Sequence, residues 1–234
     1  MLTIVVTGIL LGMRHALEAD HVAAVAALAT GSRGARQTLR LGLAWGAGHT
    51  LTIFAVGSVV LLLGATVPEP IAAVLETAVG VMLILLGANG LRRMIHERDH
   101  FHRHRHGAAA HFHAHSHAGE GQHDASKHQH RHQRALTLRA LFIGTVHGLA
   151  GSAALVMLTL GGIGSTGLGF SYMALFGVGS LIGMAALSGV IAVPLRITSL
   201  RLTWAYNGLT VGVGLVSVGL GAALLIEYVP LIAG

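Results

Sequence analysis

Six apolar runs, each long enough to cross a lipid bilayer, constrain the fold of this chain. An α-helix needs about 20 apolar residues to cross the hydrocarbon core. The runs cover residues 2–30, 39–64, 70–94, 136–161, 168–194 and 203–229. Apolar residues make up 53% of the chain and charged residues only 10%, which excludes an ordinary soluble domain. We therefore predict an all-α polytopic membrane protein with six transmembrane helices, located in the cell membrane.

Basic residues indicate the orientation of these spans. Of the fifteen lysines and arginines, fourteen lie in or beside the connections after the first, third and fifth spans. Cytoplasmic loops are enriched in these residues, so we predict that these connections are cytoplasmic and that both chain ends are outside. This bias explains the +6 formal charge, and no nucleic-acid partner is expected. The absence of cysteine excludes disulfides, thiolate metal sites and cysteine catalysis.

Matching residues recur in the two halves of the chain at offsets of 131 or 132 residues. The matched pairs are Gly12 and Gly144, His15 and His147, Leu17 and Leu149, Gly46 and Gly177, Gly48 and Gly179, Gly80 and Gly212, and Gly87 and Gly219. Each half has three spans, an odd number, so a second copy must be inserted upside down. We predict two inverted three-helix repeats, residues 1–95 and 135–234, as in many secondary transporters.

Five ionisable side chains lie inside the first apolar run. They are Arg14, His15, Glu18, Asp20 and His21. Such groups are costly within a membrane unless they are paired or bind a ligand, which indicates a functional site. Imidazole nitrogens and carboxylate oxygens suit a borderline divalent metal ion, and we predict metal binding. The alternative is a structural network in which the arginine and a histidine neutralise the two acids.

The spacing of His15 and His21 limits how they bind one ion. On an unbroken helix their side chains would point about 120° apart. Either the first helix is interrupted at the motif, which we favour, or the two histidines serve successive positions on a path.

Two more histidines lie inside predicted spans and extend the candidate site. His49 is in the second span, and His147 occupies in the second half the place of the first motif histidine. Each is either a metal ligand or a side chain that bonds to a neighbouring helix. Ser152 and Ala153 stand where the first half has its aspartate and second histidine, so we expect asymmetric binding.

Residues 96–134, between the two halves, differ in composition from the rest. They contain thirteen of the seventeen histidines and show no apolar periodicity, which predicts a disordered, His-rich cytoplasmic loop. Flexible imidazoles bind nickel, cobalt, zinc or copper with little selectivity. A metal buffer, a sensor, a staging post for the pore and a simple basic linker all remain open.

These motifs resemble the nickel/cobalt transporter family. The family's leading motif is an arginine-histidine pair, four further residues and an aspartate-histidine pair, which residues 14–21 match. Its next motif, an aromatic residue followed by Gly-His-Ser or Gly-His-Thr, is similar to Trp45 with Gly48-His49-Thr50. The second half lacks the acidic motifs of the longer uptake permeases, so the chain looks more like the short, urease-accessory-type branch.

The resemblance implies a secondary transporter with Ni²⁺ or Co²⁺ as its substrate, no resident cofactor and no enzymatic activity. Import is preferred over export, although the His-rich loop is also similar to that of nickel/cobalt efflux proteins. A membrane metallochaperone or sensor that acts through this loop is the rival from another class. The branch also implies a link to urease or hydrogenase maturation. The predicted metal ligands are His15, Glu18, Asp20, His21, His49 and His147.

Overall fold

Helices make up nearly all of the described chain. The structure is a computed structural model that describes residues 2–30, 32, 34–64, 68–97, 101–106, 109–114, 129–149, 165–201 and 203–233. Its helices are α1 Leu2–His15, α2 Ala19–Thr30, α3 Ala35–Leu63, α4 Glu69–Glu97, α5 Gln129–Leu149, α6 Thr166–Arg201 and α7 Thr203–Ala233.

Four of these helices are long and apolar enough to cross a membrane. The candidate spans are Ala35–Leu63, Glu69–Ile95, Thr166–Leu195 and Trp204–Ile232. Large apolar side chains such as Leu51, Leu85 and Ile226 are exposed on their outer surfaces, where lipid would cover them. Shorter apolar helices lie at Val5–His15, Ala19–Thr30 and Ala135–Leu149. The prediction of a helical membrane protein is therefore confirmed.

The first predicted span consists of two helices rather than one. α1 ends at His15 and α2 begins at Ala19. Between them, the Leu17 and Glu18 amides donate to the carbonyls of Arg14 and His15 at 2.9 and 3.1 Å. These bonds reach back three residues, as in a tight 3₁₀ turn, and they end the regular α-helix. The interruption predicted at the motif is therefore present.

Glycines at matched positions of the two halves make close contacts between helices. Each lies against the backbone of another helix, so that any side chain would clash there. The matched contacts are Gly12 with Phe176 and Gly144 with Trp45, and Gly48 with Leu141 and Gly179 with Ile9. α1 thus packs on α6 as α5 packs on α3.

The contacts also give the relative directions of the packed helices. α1 and α6 run in the same direction, because Gly8 lies near Tyr172 and Gly12, one turn later, lies near Phe176. α4 and α7 run in opposite directions. Their closest pairs are Gly80 with Gly221 and Gly87 with Gly214.

α2 is held in the bundle by small side chains and two long-range hydrogen bonds. Its alanines Ala23 and Ala24 are buried, and the helix packs against α4, α6 and α7. Ser217 of α7 donates to the Ala23 carbonyl at 3.4 Å, and the Tyr206 hydroxyl donates to the Thr30 carbonyl at 3.0 Å. These contacts fix the helix whose first turn carries Asp20 and His21.

The segment between the halves differs from the prediction in its described part. Strands β1 Phe101–His106 and β2 Ala109–Ala114 pair antiparallel, with Phe101 opposite Ala114. The sequence predicted a disordered loop in this segment. It did not indicate the pairing, because the segment is polar and shows no apolar periodicity. α5 begins at Gln129, before the predicted boundary at 134, and residues 150–164 of the predicted fourth span lie outside the described residues.

Candidate metal centre

Four imidazoles from four helices meet beside the break between α1 and α2. They belong to His15 of α1, His21 of α2, His49 of α3 and His147 of α5, and each residue is at most 3% exposed. The ring centroid of His21 lies 4.3 Å from that of His15 and 4.3 Å from that of His147. It lies 4.9 Å from that of His49. His21 is therefore the central member of the cluster.

Asp20 joins two of these histidines through its carboxylate. Its Oδ1 accepts hydrogen bonds from the backbone N–H and the ring Nδ1 of His21, both at 2.9 Å. Its Oδ2 accepts from Nε2 of His147 at 3.0 Å. The Asp20 side chain remains 30% exposed. One carboxylate thus links α2 in the first half of the chain to α5 in the second.

Glu18 and Arg14 lie at the edge of the cluster rather than inside it. Glu18 Oε2 lies 3.0 Å from Nδ1 of His15, at ion-pair distance but without the alignment of a hydrogen bond. The Glu18 side chain is 43% exposed. Arg14 is exposed, and no carboxylate of the described chain lies at ion-pair distance from it. The two acids are therefore next to histidines, not next to the arginine that a structural network would use.

Several imidazole nitrogens in the cluster have no hydrogen-bond partner within the described part of the chain. These buried atoms are Nε2 of His21 and Nδ1 of His15, His49 and His147. Buried polar atoms are usually paired, so unpaired ones in a group call for an explanation. Unprotonated imidazole nitrogens are strong metal ligands, and an ion would give these atoms or their ring partners a role.

The spacing of the donors fits a single ion. Nε2 of His15 and Nε2 of His49 are 3.2 Å apart. Two nitrogens bound at about 2.1 Å to one ion at tetrahedral or right angles are roughly 3 to 3.4 Å apart. Two groups offer three ligand atoms within 4.8 Å of one another: His15, His21 and His49, and Asp20, His21 and His147. His21 belongs to both.

Two aromatic rings line the cluster. The sequence did not predict them as part of the site. Trp45 is fully buried, and its ring centroid lies 5.5 Å from that of His21 and 5.3 Å from that of His147. The ring centroid of Phe176 lies 5.4 Å from that of His15. Both could have been found from spacing, because Trp45 precedes His49 by one helical turn and Phe176 holds the matched position in the second half.

The structure brings together five of the six predicted ligand residues and leaves Glu18 at the exposed edge. The second half contributes His147 but has Ser180 at the position that matches His49. The Ser180 hydroxyl donates to the Gly12 carbonyl at 3.2 Å and is fully buried. The described donors are therefore arranged asymmetrically between the halves. Ser152 and Ala153, which carried part of that prediction, lie outside the described residues.

Comparison with known proteins gives one informative similarity. No protein-family model matches the chain, and no solved structure matches it significantly. The chain is 28% identical over 204 residues to the urease accessory protein UreH of Bacillus sp. (strain TB-90), covering 86% of this chain and 82% of the relative. That protein is named as an accessory protein of an enzyme, in agreement with the prediction that this chain is not itself an enzyme. The similarity to a urease accessory protein supports the urease-accessory part of the predicted resemblance.

Proposed function

We propose that the chain is a secondary transporter that moves Ni²⁺, or Co²⁺, across the cell membrane, with import preferred over export. The observation that carries this proposal is the cluster of four buried imidazoles and one carboxylate at a helix break inside an apolar bundle. A purely structural role accounts poorly for so many polar donors among apolar helices, because each needs a partner there.

The donor types match the needs of a divalent ion that leaves water. Imidazole nitrogens of His15, His21, His49 and His147 would replace water ligands, and nickel and cobalt accept such ligands readily. The Asp20 carboxylate would offset part of the ion's charge at a depth where an unbalanced charge is costly. Glu18, exposed beside His15, would orient that ring and attract the cation to the site.

The architecture we propose for this transport is a pair of inverted repeats, residues 1–95 and 135–234. The matched glycine contacts and the alternating helix directions support it. In this arrangement the site lies between the repeats, and its histidines come from both. Rocking of one repeat against the other would open the site to each side of the membrane in turn.

Orientation and cellular role follow from the same proposal. Both chain ends lie outside and the His-rich segment, residues 96–134, lies in the cytoplasm, as the basic residues predict. Similarity to a urease accessory protein supports a role in supplying nickel for urease maturation. Supply of nickel for hydrogenase maturation is the alternative destination.

Transport of radioactive nickel tests the proposal. Right-side-out vesicles that contain the wild-type protein should accumulate nickel, and vesicles with Asp20→Asn or His21→Ala should lose at least about 90% of this flux. Ser180→Ala, a buried polar change on α6, is the matched control. Undiminished flux in both site variants would remove the proposed centre, and accumulation only in inside-out vesicles would reverse the direction.

A further inference from the structure

We infer that the centre contains two alternative positions for one ion, and that His21 belongs to both. This inference deepens the proposed function, because it takes the bound ion to be the transported one. The first position is formed by His15, His21 and His49, and the second by Asp20, His21 and His147. An ion would pass from one to the other by exchanging His15 and His49 for Asp20 and His147, and by moving from one ring nitrogen of His21 to the other.

The first position consists of neutral nitrogen donors only. Nε2 of His15 and Nε2 of His49 face each other at 3.2 Å, and Nε2 of His21 is buried without a hydrogen-bond partner among the described residues. Two acids lie behind its rings: Glu18 is 3.0 Å from Nδ1 of His15, and Asp20 accepts a hydrogen bond from Nδ1 of His21 at 2.9 Å. An ion there would be bound directly by imidazoles only, with no carboxylate among its ligands.

The second position adds a carboxylate. Asp20 Oδ2 lies 3.0 Å from Nε2 of His147, and Asp20 Oδ1 lies 2.9 Å from Nδ1 of His21. These separations are close to those of neighbouring ligands on one ion. The carboxylate offsets one charge of the ion, but the ion must first replace the hydrogen bonds that Asp20 now accepts. The two positions therefore differ in the charge of their ligands and in the hydrogen bonds that an ion must displace.

Simultaneous occupation is opposed by charge and by the shared residue. The ring centroid of His21 lies 4.3 Å from that of His15, in the first position, and 4.3 Å from that of His147, in the second. Two divalent ions on opposite sides of one imidazole would repel strongly in an apolar surrounding, and Asp20 alone could not offset them. One ion at a time, in either position, is the arrangement that these contacts support.

A binding experiment on the full-length protein separates this arrangement from a single site that uses all five donors at once. The chain has two tryptophans. Trp204 is 75% exposed, whereas Trp45 is fully buried against the histidines. In a Trp204→Phe background, quenching of Trp45 emission by Co²⁺ reports local binding, so ions held by the His-rich segment do not contribute. The free Co²⁺ concentration is set by a metal buffer.

Two positions predict a particular pattern of variants. His49→Ala and His147→Ala should each lower the Co²⁺ affinity by only about two- to fivefold, because the other position still binds. The double variant, and His21→Ala alone, should lower it by about 100-fold or more. Ser180→Ala should leave it unchanged. The single variants should nevertheless lose most nickel transport, since each breaks the exchange between positions.

The opposite pattern would overturn the inference. A single shared site predicts that His49→Ala and His147→Ala each cause a large loss of Co²⁺ affinity, and that the double variant loses no more than the two single losses together, because ligands of one ion are coupled. Glutamine replacements at the same positions, with unchanged Trp45 emission before metal is added, exclude misfolding as the cause. If the wild type moves no nickel but the predicted binding pattern holds, the proposed function fails and the two-position inference stands.

Discussion

Asp20 determines the electrostatics of the centre at the scale of single residues. Its two oxygens accept hydrogen bonds from His21 and His147, which belong to different halves of the chain. The four histidines bring no negative charge, so this carboxylate is the group within the cluster that can balance a cation. Glu18 lies next to His15 but is 43% exposed, where water screens its charge.

Replacing each acid with its amide separates these two roles. We expect Asp20→Asn to lower the rate of nickel transport at least about tenfold, because the amide keeps the shape but removes the charge. Glu18→Gln should lower the rate by less than about threefold, because its charge is partly screened by water. Initial rates of radioactive nickel flux at several nickel concentrations measure both. Equal losses in the two variants would contradict the central role of Asp20.

Local patterns predicted the donors but not their pairing. The motif at residues 14–21 indicated a helix break and a metal site, because ionisable side chains in an apolar run are costly unless they are paired or bind a ligand. The bond between Asp20 and His147 could not be predicted, since 127 residues separate them and the contact depends on how α2 packs near α5. The hairpin of β1 and β2 escaped prediction because its pairing is not reflected in hydropathy.

At the scale of elements, close backbone contact between helices positions the donors. Gly144 of α5 lies on the backbone of Trp45 in α3, and Gly148 lies on that of His49. These contacts bring His147 and His49 to the same level of the bundle. In the other half, Gly12 of α1 makes the matched contact with α6 and leads directly into the break at His15.

A methyl group at a contact glycine should therefore destabilise the fold. We expect Gly144→Ala to lower the free energy of unfolding by about 1–3 kcal/mol, because the new Cβ would clash with the Trp45 backbone. Gly212→Ala on α7 is the matched control, since no atom lies within 4 Å of its added Cβ. Thermal unfolding in detergent measures both variants. Similar unfolding temperatures would show that α5 does not pack on α3 as described.

The His-rich segment gives a second test at this scale. Replacing residues 100–128 with a Gly-Ser linker of equal length leaves α5 intact, because that helix begins at Gln129. We expect nickel transport to continue, with altered affinity, because the proposed ligands lie in the helices. A metallochaperone or sensor that acts through the loop would lose function completely. Vesicle flux and nickel-dependent urease activity in cells distinguish the two outcomes.

At the scale of the whole molecule, the charge distribution predicts how the bundle lies in the membrane. Arginines follow the first, third and fifth predicted spans, and the other two connections have none. α1 runs parallel to α6 and α4 runs antiparallel to α7, the relative directions that the proposed topology has. The three connections with arginines should therefore share the cytoplasmic side.

The cysteine-free sequence makes this orientation simple to test. In intact cells, a membrane-impermeant maleimide should label Gly234→Cys, because the proposed topology has the chain end outside. Ser126→Cys, in the His-rich segment, should react only after the cells are permeabilised. The reverse labelling pattern would place the loop outside and remove its proposed cytoplasmic role.

The central claim is that the transported ion binds among the buried histidines. Anomalous diffraction at the nickel absorption edge, from crystals of the full-length protein with nickel, tests it most directly. We predict one peak within ligand distance of His21, bounded by His15 and His49 or by Asp20 and His147. Nickel at saturating concentration that gives peaks only outside this cluster would contradict the claim.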